Sequence, residues 1–337
     1  MTPSRVGLWT ALLISAASCG SKATEGMNPG ECSDGLDNDE NGLLDCADPG
    51  CSGSPDCEPA DTGGDTAEDT GDDTGDTGET DTGGADPAWP ATITWLQVPA
   101  GEFAMGATEA EEEHPDDEFA RTITLTYDYE IAAVEVTEAL YTEATGLVPD
   151  SSCGETCPVV GLTWHEAARV TALLSTAAGL DPCYSCTGEG DAAYCVPLGQ
   201  PMWCAGYRLP LEAEWERAAR ADAGTIYAGA ETPETVAWTS ANSGGAAQPV
   251  AGLSANAWGA YDFSGNAWEW CHELWMEMPD AEITEDPTGP TTGEFRVIRG
   301  GAFDADAADA RAANREPLGP GEKLSSTGLR LARTLNP

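Results

Sequence analysis

The chain has 337 residues, a formal net charge of -45 and only 14 lysines and arginines. That length allows one large domain or two smaller ones. A surface so acidic repels phosphate backbones, which argues against nucleic acid as a partner and favours calcium ions and cationic groups.

The N-terminal stretch MTPSRVGLWTALLISAASCGSK carries a basic residue at Arg5, an apolar run from Val6 to Ala17 and small residues up to the cysteine. This pattern is a secretory signal over residues 1–18, too short and wrongly flanked to span a bilayer. The cysteine at the cut resembles a bacterial lipoprotein signal. It implies lipidation of Cys19, an anchored N-terminus over residues 19–26, and a chain exported and held at the outer membrane, facing the periplasm or the surface. The lipid is then the sole membrane contact, because no other apolar run approaches the ~20 residues a span requires.

Residues 27–58 form a small Cys/Asp-rich module with Cys32, Cys46, Cys51 and Cys57. Asp37, Asp39 and Asn41 alternate before Gly42, and Asp45 and Asp48 follow at the later ligand positions. This is the spacing of a calcium loop of the EF-hand type, with a shorter Asp in place of the final Glu. Having few apolar residues, the module depends on metal and disulfides for its shape. It resembles the short Cys/Asp-rich repeats on surface proteins of myxobacteria and their relatives. Residues 59–87 repeat Asp, Thr and Gly with no hydrophobic period, which predicts a disordered, self-repelling stalk.

From residue 88 to 337 tryptophan, glycine and short alternating runs appear. Strands are predicted over 93–98, 122–131 and 296–303, and helices over Thr137–Thr145, Thr163–Ala178 and Leu211–Ala221. Few helices among many turns predict a loop-rich α+β domain. In an exported chain the cysteines point to disulfides before zinc. Cys153 and Cys157 flank a short turn suited to a local bridge. Cys183, Cys186, Cys195 and Cys204 suit two more of unread connectivity, and Cys271 is left as a buried, inert thiol.

Several islands occur in one order: VPAGEFAMG (98–106), VEVT (134–137), CPVVGLTW (157–164), RLPLEAEWE (208–216), GAYDFSGNAWEW (259–270), RVIRGGA (296–302) and GLR (328–330). Together they resemble the formylglycine-generating enzyme, or sulfatase-modifying factor, family across the whole third region. The resemblance implies a variant of the C-type-lectin-like fold. It also implies a calcium ion held by Asp262, the carbonyls of Gly265 and Ala267, and Glu269. A second calcium site would begin at Asn242 and Ser243, but its acidic partners have no match here.

The residues themselves support part of this. Pro210 and the glutamates of RLPLEAEWE suit a helix start, and Trp215, Ala218 and Ala219 make its apolar face. Leu211 stands where the family has a capping Thr, so the helix start should be poorly satisfied. Glu269, set between Trp268 and Trp270, needs a partner if buried.

Catalytic members of the family follow the Gly-Gly turn with Ser and two cysteines that bind copper(I), for which soft thiolates are the natural ligands. The corresponding positions here are Ala302, Ala305 and Ala310, so copper and oxidase chemistry are not expected. Relatives that use three histidines around iron do not match either, since His114, His165 and His272 are unsuitably spaced. The stretch Arg299–Arg315, RGGAFDADAADARAANR, holds no ordinary nucleophile. Asp304, Asp306, Asp309, Arg311, Asn314 and Arg315 are expected to line a polar groove for a peptide or glycan. The reading is a non-catalytic, calcium-stabilised binding module. The alternatives are an oxidase using an unrecognised metal site and a structural envelope assembly factor.

Overall fold

The computed structural model describes residues 93–111, 114–149 and 153–337. The signal, Cys19, the calcium-loop residues Asp37, Asp39, Asn41, Asp45 and Asp48, and the acidic stalk lie outside the described residues. The domain is α+β, as the sequence predicts.

Strand β1 (Trp95–Val98) pairs antiparallel with β4 (Tyr129–Ala132), and β4 pairs on its other side with β13 (Ala332–Thr334), so one sheet ties together the two ends of the domain. Between them, β2 (Gly101–Met105) and β3 (Arg121–Leu125) form a separate antiparallel pair. The run 122–131, predicted as one strand, is therefore two. Thr126 breaks it by donating its N–H and hydroxyl to Asp286, and Asp128 accepts the N–H of Ala100 at 2.7 Å. These side-chain bonds take the backbone out of one ladder and deliver it to another.

Helices α1 (Glu138–Thr145) and α2 (Trp164–Ala177) begin where predicted. Thr137 caps α1, and Thr163 with Glu166 forms a reciprocal capping box on α2, with bonds of 3.1 and 2.9 Å. After α2 come the hairpin β5 (Tyr184–Thr187) and β6 (Tyr194–Pro197), helix α3 (Glu212–Arg220), and the short parallel pair β7 (Ala237–Trp238) and β8 (Ser264–Gly265). A four-stranded sheet follows: β11 (Arg315–Leu318), β10 (Arg296–Arg299), β9 (Trp268–Leu274) and β12 (Thr327–Gly328), in that spatial order. Strand β10 stops at Arg299, short of the predicted 303, because Gly300 and Gly301 take φ of +94° and +72°. A Cβ on Gly301 would lie 2.9 Å from Ala310 Cα.

The bridges are Cys153–Cys157, Cys183–Cys204 and Cys186–Cys195, and Cys271 is free and buried. Burial pushes the Cys271 thiol well above its ordinary range, which keeps it protonated and unreactive.

Two apolar clusters form the core. One joins Trp164 and Leu174 of α2 to Leu209, Trp270, Ile298 and Leu329; the other packs Trp215 of α3 against Ile123, Ile131, Phe263 and Val297. Helix α3 is buried along its whole length, so its charged side chains need partners inside the protein. Glu214 receives both Nη atoms of Arg208 at 2.6 and 2.7 Å, together with the Tyr127 hydroxyl and the Leu211 N–H. Glu216 receives Arg220, Arg299 and the N–H of Gly106. Glu212 receives Arg315 at 2.7 and 2.9 Å.

Leu211 supplies no side-chain cap, as expected. The open helix start is nevertheless satisfied from elsewhere: Glu273 of β9 accepts the Glu212 N–H on its two oxygens, at 2.7 and 2.8 Å.

Glu214→Ala strands the buried Arg208 and should cost about 3–5 kcal/mol. Glu189→Ala removes only the partner of Arg169, and Glu189 is 75% exposed, so it should stay within ~0.5 kcal/mol. Urea unfolding of both variants decides the matter, and equal losses would show that ion pairing does not hold α3. Burial and the neighbouring Glu212 carboxylate push Glu273 well above the ordinary carboxylate range. A neutral acceptor should therefore serve as the cap: Glu273→Gln should cost under ~1 kcal/mol and Glu273→Ala about 2 kcal/mol or more.

Candidate functional site

Three loops meet beyond the end of β10: residues 239–251, 262–268 and 300–315. Gly265, at φ +78°, brings its backbone so close to Trp238 that a Cβ would lie 2.1 Å from the Trp238 carbonyl oxygen. The Gly265 N–H donates to Gly300 O, the Asn266 N–H to Trp238 O, and the Phe303 N–H to Asn266 O. The Asn266 side chain holds the backbone of Gln248 in both directions, at 2.9 and 3.2 Å. Asn242 and Ser243 are occupied locally: Asn242 Oδ1 accepts the Thr239 N–H, and the Ser243 hydroxyl donates to Phe303 O.

Within this frame Ala302 and Ala310 are fully buried, and Ala305 packs half-buried against the core. All three side chains are single methyl groups. Cys271, on β9, is the one thiol outside a disulfide among the described residues.

The six residues expected to line one groove separate into two groups. Asp304 and Asp306 are exposed and Asp309 is half-buried; their contacts are to the Ser325 hydroxyl, the Ser240 hydroxyl and the Asp306 N–H. Arg311, Asn314 and Arg315 turn inward instead. Arg311 bridges Glu111 and Glu118 at 2.6–2.9 Å. Asn314 donates to Asp309 O. Arg315 serves Glu212, Asp117 and Met276 O, with its guanidinium 4.1 Å over the Trp275 ring. The expectation of a single six-residue groove is thus corrected. Buried Glu111, Glu118 and Glu212 need counter-charge, and these arginines supply it.

Two of the residues expected to hold calcium, Glu269 and Asp262, have protein partners. Glu269, fully buried, gives both oxygens to Arg330 and one also to Trp215 Nε1 at 2.7 Å. The Arg330 guanidinium and the Trp215 indole answer its need for a partner. Asp262 accepts the Ala251 N–H at 2.7 Å.

Beside Asp262 stands Glu135, from VEVT, which sequence reasoning gave no role. It is 2% exposed, and neither carboxylate oxygen has a hydrogen-bond partner. Burial, reinforced by Asp262, pushes Glu135 well above the usual carboxylate range. Burial also raises Asp262, against the opposing pull of the Ala251 N–H. An acid with both oxygens orphaned, facing a second acid, must hold either a proton or a cation. The signal was present in the sequence as an acid between two valines.

Among the described residues no three His, Cys, Asp or Glu side chains converge as a ready metal site. A cation here would rest on Asp262 and Glu135 with backbone carbonyls, an oxygen-only set suited to calcium. The histidines stay apart. His165 stacks on Tyr194 at 4.8 Å, and His272 bonds the Tyr184 hydroxyl and is pushed down to about 3 by burial.

Comparison with known proteins places this geometry. A family model described as the sulfatase-modifying factor enzyme 1-like domain matches residues 86–335. The formylglycine-generating enzyme of Streptomyces coelicolor is 30% identical over 279 residues, covering 70% of this chain and 88% of that one. A Chlamydia pneumoniae protein named serine/threonine-protein kinase pkn1 is 32% identical over 184 residues, covering 53% of this chain. The match spans 24% of the length of that kinase. Among solved structures, Treponema denticola variable protein 1 superposes with a TM-score of 0.62 at 26% identity, covering 72% of this chain and 95% of that one. The chain therefore belongs to the sulfatase-modifying factor enzyme 1-like domain family, with the formylglycine-generating-enzyme fold.

Proposed function

We propose that this chain is a non-catalytic member of its family: a binding module on an exported lipoprotein that takes a peptide or glycan on calcium-stabilised loops. The observation that carries the reading is alanine at 302, 305 and 310. The scaffold that would present copper(I) ligands is kept, while the serine position, 302, and both cysteine positions, 305 and 310, carry methyl groups. The nearby aspartates are hard donors and would not hold copper(I). The partial match to a much longer protein named as a kinase supports use of this domain as a module within larger chains.

Formylglycine generation is the competing reading. Given copper, oxygen, a reductant and a cysteine-containing sulfatase-motif peptide, the full chain should leave the peptide mass unchanged while an active relative converts it. Appearance of the aldehyde mass would overturn the non-catalytic reading, with Cys271 the first residue to replace.

The calcium part is tested separately. Calcium at ~100 times its Kd would stabilise the domain by about 2.7 kcal/mol. Thermal unfolding followed by tryptophan fluorescence should shift upward with calcium and fall back with chelator. The module at 27–58 contains no tryptophan and stays silent in this signal. Glu135→Gln and Asp262→Asn should each remove the calcium-dependent shift. A shift that survives both substitutions would place the ion elsewhere.

A further inference from the structure

The hairpin β5–β6 packs on α2 and leaves one of its two edges open. The Leu198 N–H donates to Cys183 O at 3.0 Å, so these residues form a hydrogen-bonded pair at the mouth of the hairpin. Bonded and non-bonded pairs alternate along an antiparallel ladder. By the register, Ser185–Val196 is then bonded, while Tyr184–Pro197 and Cys186–Cys195 are not. The 4.1 Å between the Cα atoms of Cys186 and Cys195 is the spacing of a non-bonded pair. Backbone groups of such residues point away from the hairpin. On the β6 side the Cys195 N–H is taken by His165 Nδ1 at 3.1 Å. On the β5 side the N–H and C=O of Tyr184 and Cys186 face outward, and among the described residues no strand pairs with that edge.

The open edge borders a groove of about 580 Å³, within the ~300–1,000 Å³ range of ligand sites. Its wall is β5, through Tyr184, Ser185 and Cys186, and no residue of β6 lines it. Its floor is α2, through Arg169, Ala172, Leu173 and Thr176, whose i, i+3, i+4, i+7 spacing is one helix face. Pro182 and Leu198 line one end. At the other, Gly188 turns the chain at φ +71°, and Glu189 pairs with Arg169 at 3.1 Å. The charges of the lining therefore cancel. A two-stranded hairpin is marginal by itself, but Cys186–Cys195 and Cys183–Cys204 staple this one. The edge is thus held ready, and a partner bears little of the cost of ordering it.

We propose that an extended polypeptide segment of a partner protein docks in this groove as a third strand, pairing with Tyr184 and Cys186 and lying on the 169–176 face of α2. Donors and acceptors repeating every second residue along an edge are matched by the backbone of another extended chain. A segment of about four residues, at ~3.3 Å each, matches the four of β5. It is neutral or basic, because the groove adds no net charge and a chain at -45 repels acidic segments. The groove shares no residue with the loops 239–251, 262–268 and 300–315. The docking site therefore stands or falls independently of what those loops bind.

The test is backbone amide NMR on the full chain with its disulfides intact. In the free protein the outward Cys186 amide should exchange at least about tenfold faster than the Val196 amide, which sits in the ladder. The probe is the peptide acetyl-Lys-Thr-Val-Thr-Val-Thr-Lys-amide. It should bind saturably, shift the resonances of 169–176 and 184–188, and slow the Cys186 amide at least about tenfold. The same peptide N-methylated at its five central residues should bind at least about tenfold more weakly, having lost its backbone donors. Thr176→Trp, at an exposed position on the floor, fills the groove and should weaken the probe by a similar factor. Leu198→Ser, where the native side chain is 60% exposed, should weaken it to a lesser degree.

A Cys186 amide as protected as that of Val196 in the free chain overturns the open edge. Equal binding of the N-methylated peptide overturns backbone pairing, and undiminished binding by a folded Thr176→Trp overturns the groove as its place. The absence of saturable binding overturns the site altogether. Self-association of the chain that Thr176→Trp abolishes would give the edge to a second copy and overturn a foreign partner. With Glu in place of both Lys the probe should bind more weakly, and tighter binding would overturn the preference for neutral or basic segments. None of these results bears on the peptide oxidation assay or the calcium-dependent shift, so failure here and failure of the non-catalytic reading remain distinct.

Discussion

The structure depends on how three glutamates of one buried helix are neutralised. Glu212, Glu214 and Glu216 occupy alternate positions of α3: Glu212 and Glu216 lie one turn apart on one face, Glu214 leaves on the opposite side, and all three are buried. Each is met by arginine from a different part of the chain: Arg208 from the segment before the helix, Arg299 from β10, and Arg315 from β11. A buried pair gains little over a well-packed apolar pair, because desolvation consumes most of the attraction. What the pairs do provide is register. A strand slipped by one residue would strand several charges at once, so β10 and β11 are held against α3 in one alignment.

This arrangement also takes positive charge off the surface. Of its 14 basic residues, Arg208, Arg217, Arg220, Arg299, Arg315 and Arg330 are buried. All of these but Arg217, which donates to Gly101 O, lie next to carboxylates that need them, and exposed loops such as the one bearing Asp304 and Asp306 are left acidic. A segment without ordinary nucleophiles, 299–315, keeps its shape for the same reason. Arg299 donates to the carbonyls of Ala312, Ala313 and Asn314, while Arg311 and Arg315 tether the loop to Glu118 and Glu212. The basic end of this loop works as a strap, whatever chemistry its other positions have.

What was legible in the sequence was local. Capping by Thr137 and Thr163, the apolar face of α3, the family islands and the odd buried Cys271 are all read within a few residues. What was not legible needed chain closure. The glutamates of α3 look like dipole partners in sequence, because Arg299 and Arg315 lie some eighty to a hundred residues further on. The missing cap at Leu211 is visible; its replacement, Glu273, is separated by 61 residues. The break at Thr126 depends on Asp286, 160 residues away. The nested order of Cys183–Cys204 around Cys186–Cys195 is one of three pairings that four cysteines allow.

The candidate site shows the same division more sharply. Sequence reasoning chose residues by chemical type and by correspondence with the family, and so grouped the three aspartates with the arginines that follow them. Proximity along the chain suggested one surface. Yet the aspartates have water and nearby hydroxyls within reach, while each arginine has a buried carboxylate that would otherwise be left unpaired at high cost. Glu269 behaves in the same way, turning to Arg330. Glu135 is the sharpest exception among the described residues, a buried acid whose two carboxylate oxygens have no hydrogen-bond partner. In a domain that otherwise neutralises its buried charges so thoroughly, a polar group left without a partner is the clearest local sign of where something outside the chain belongs.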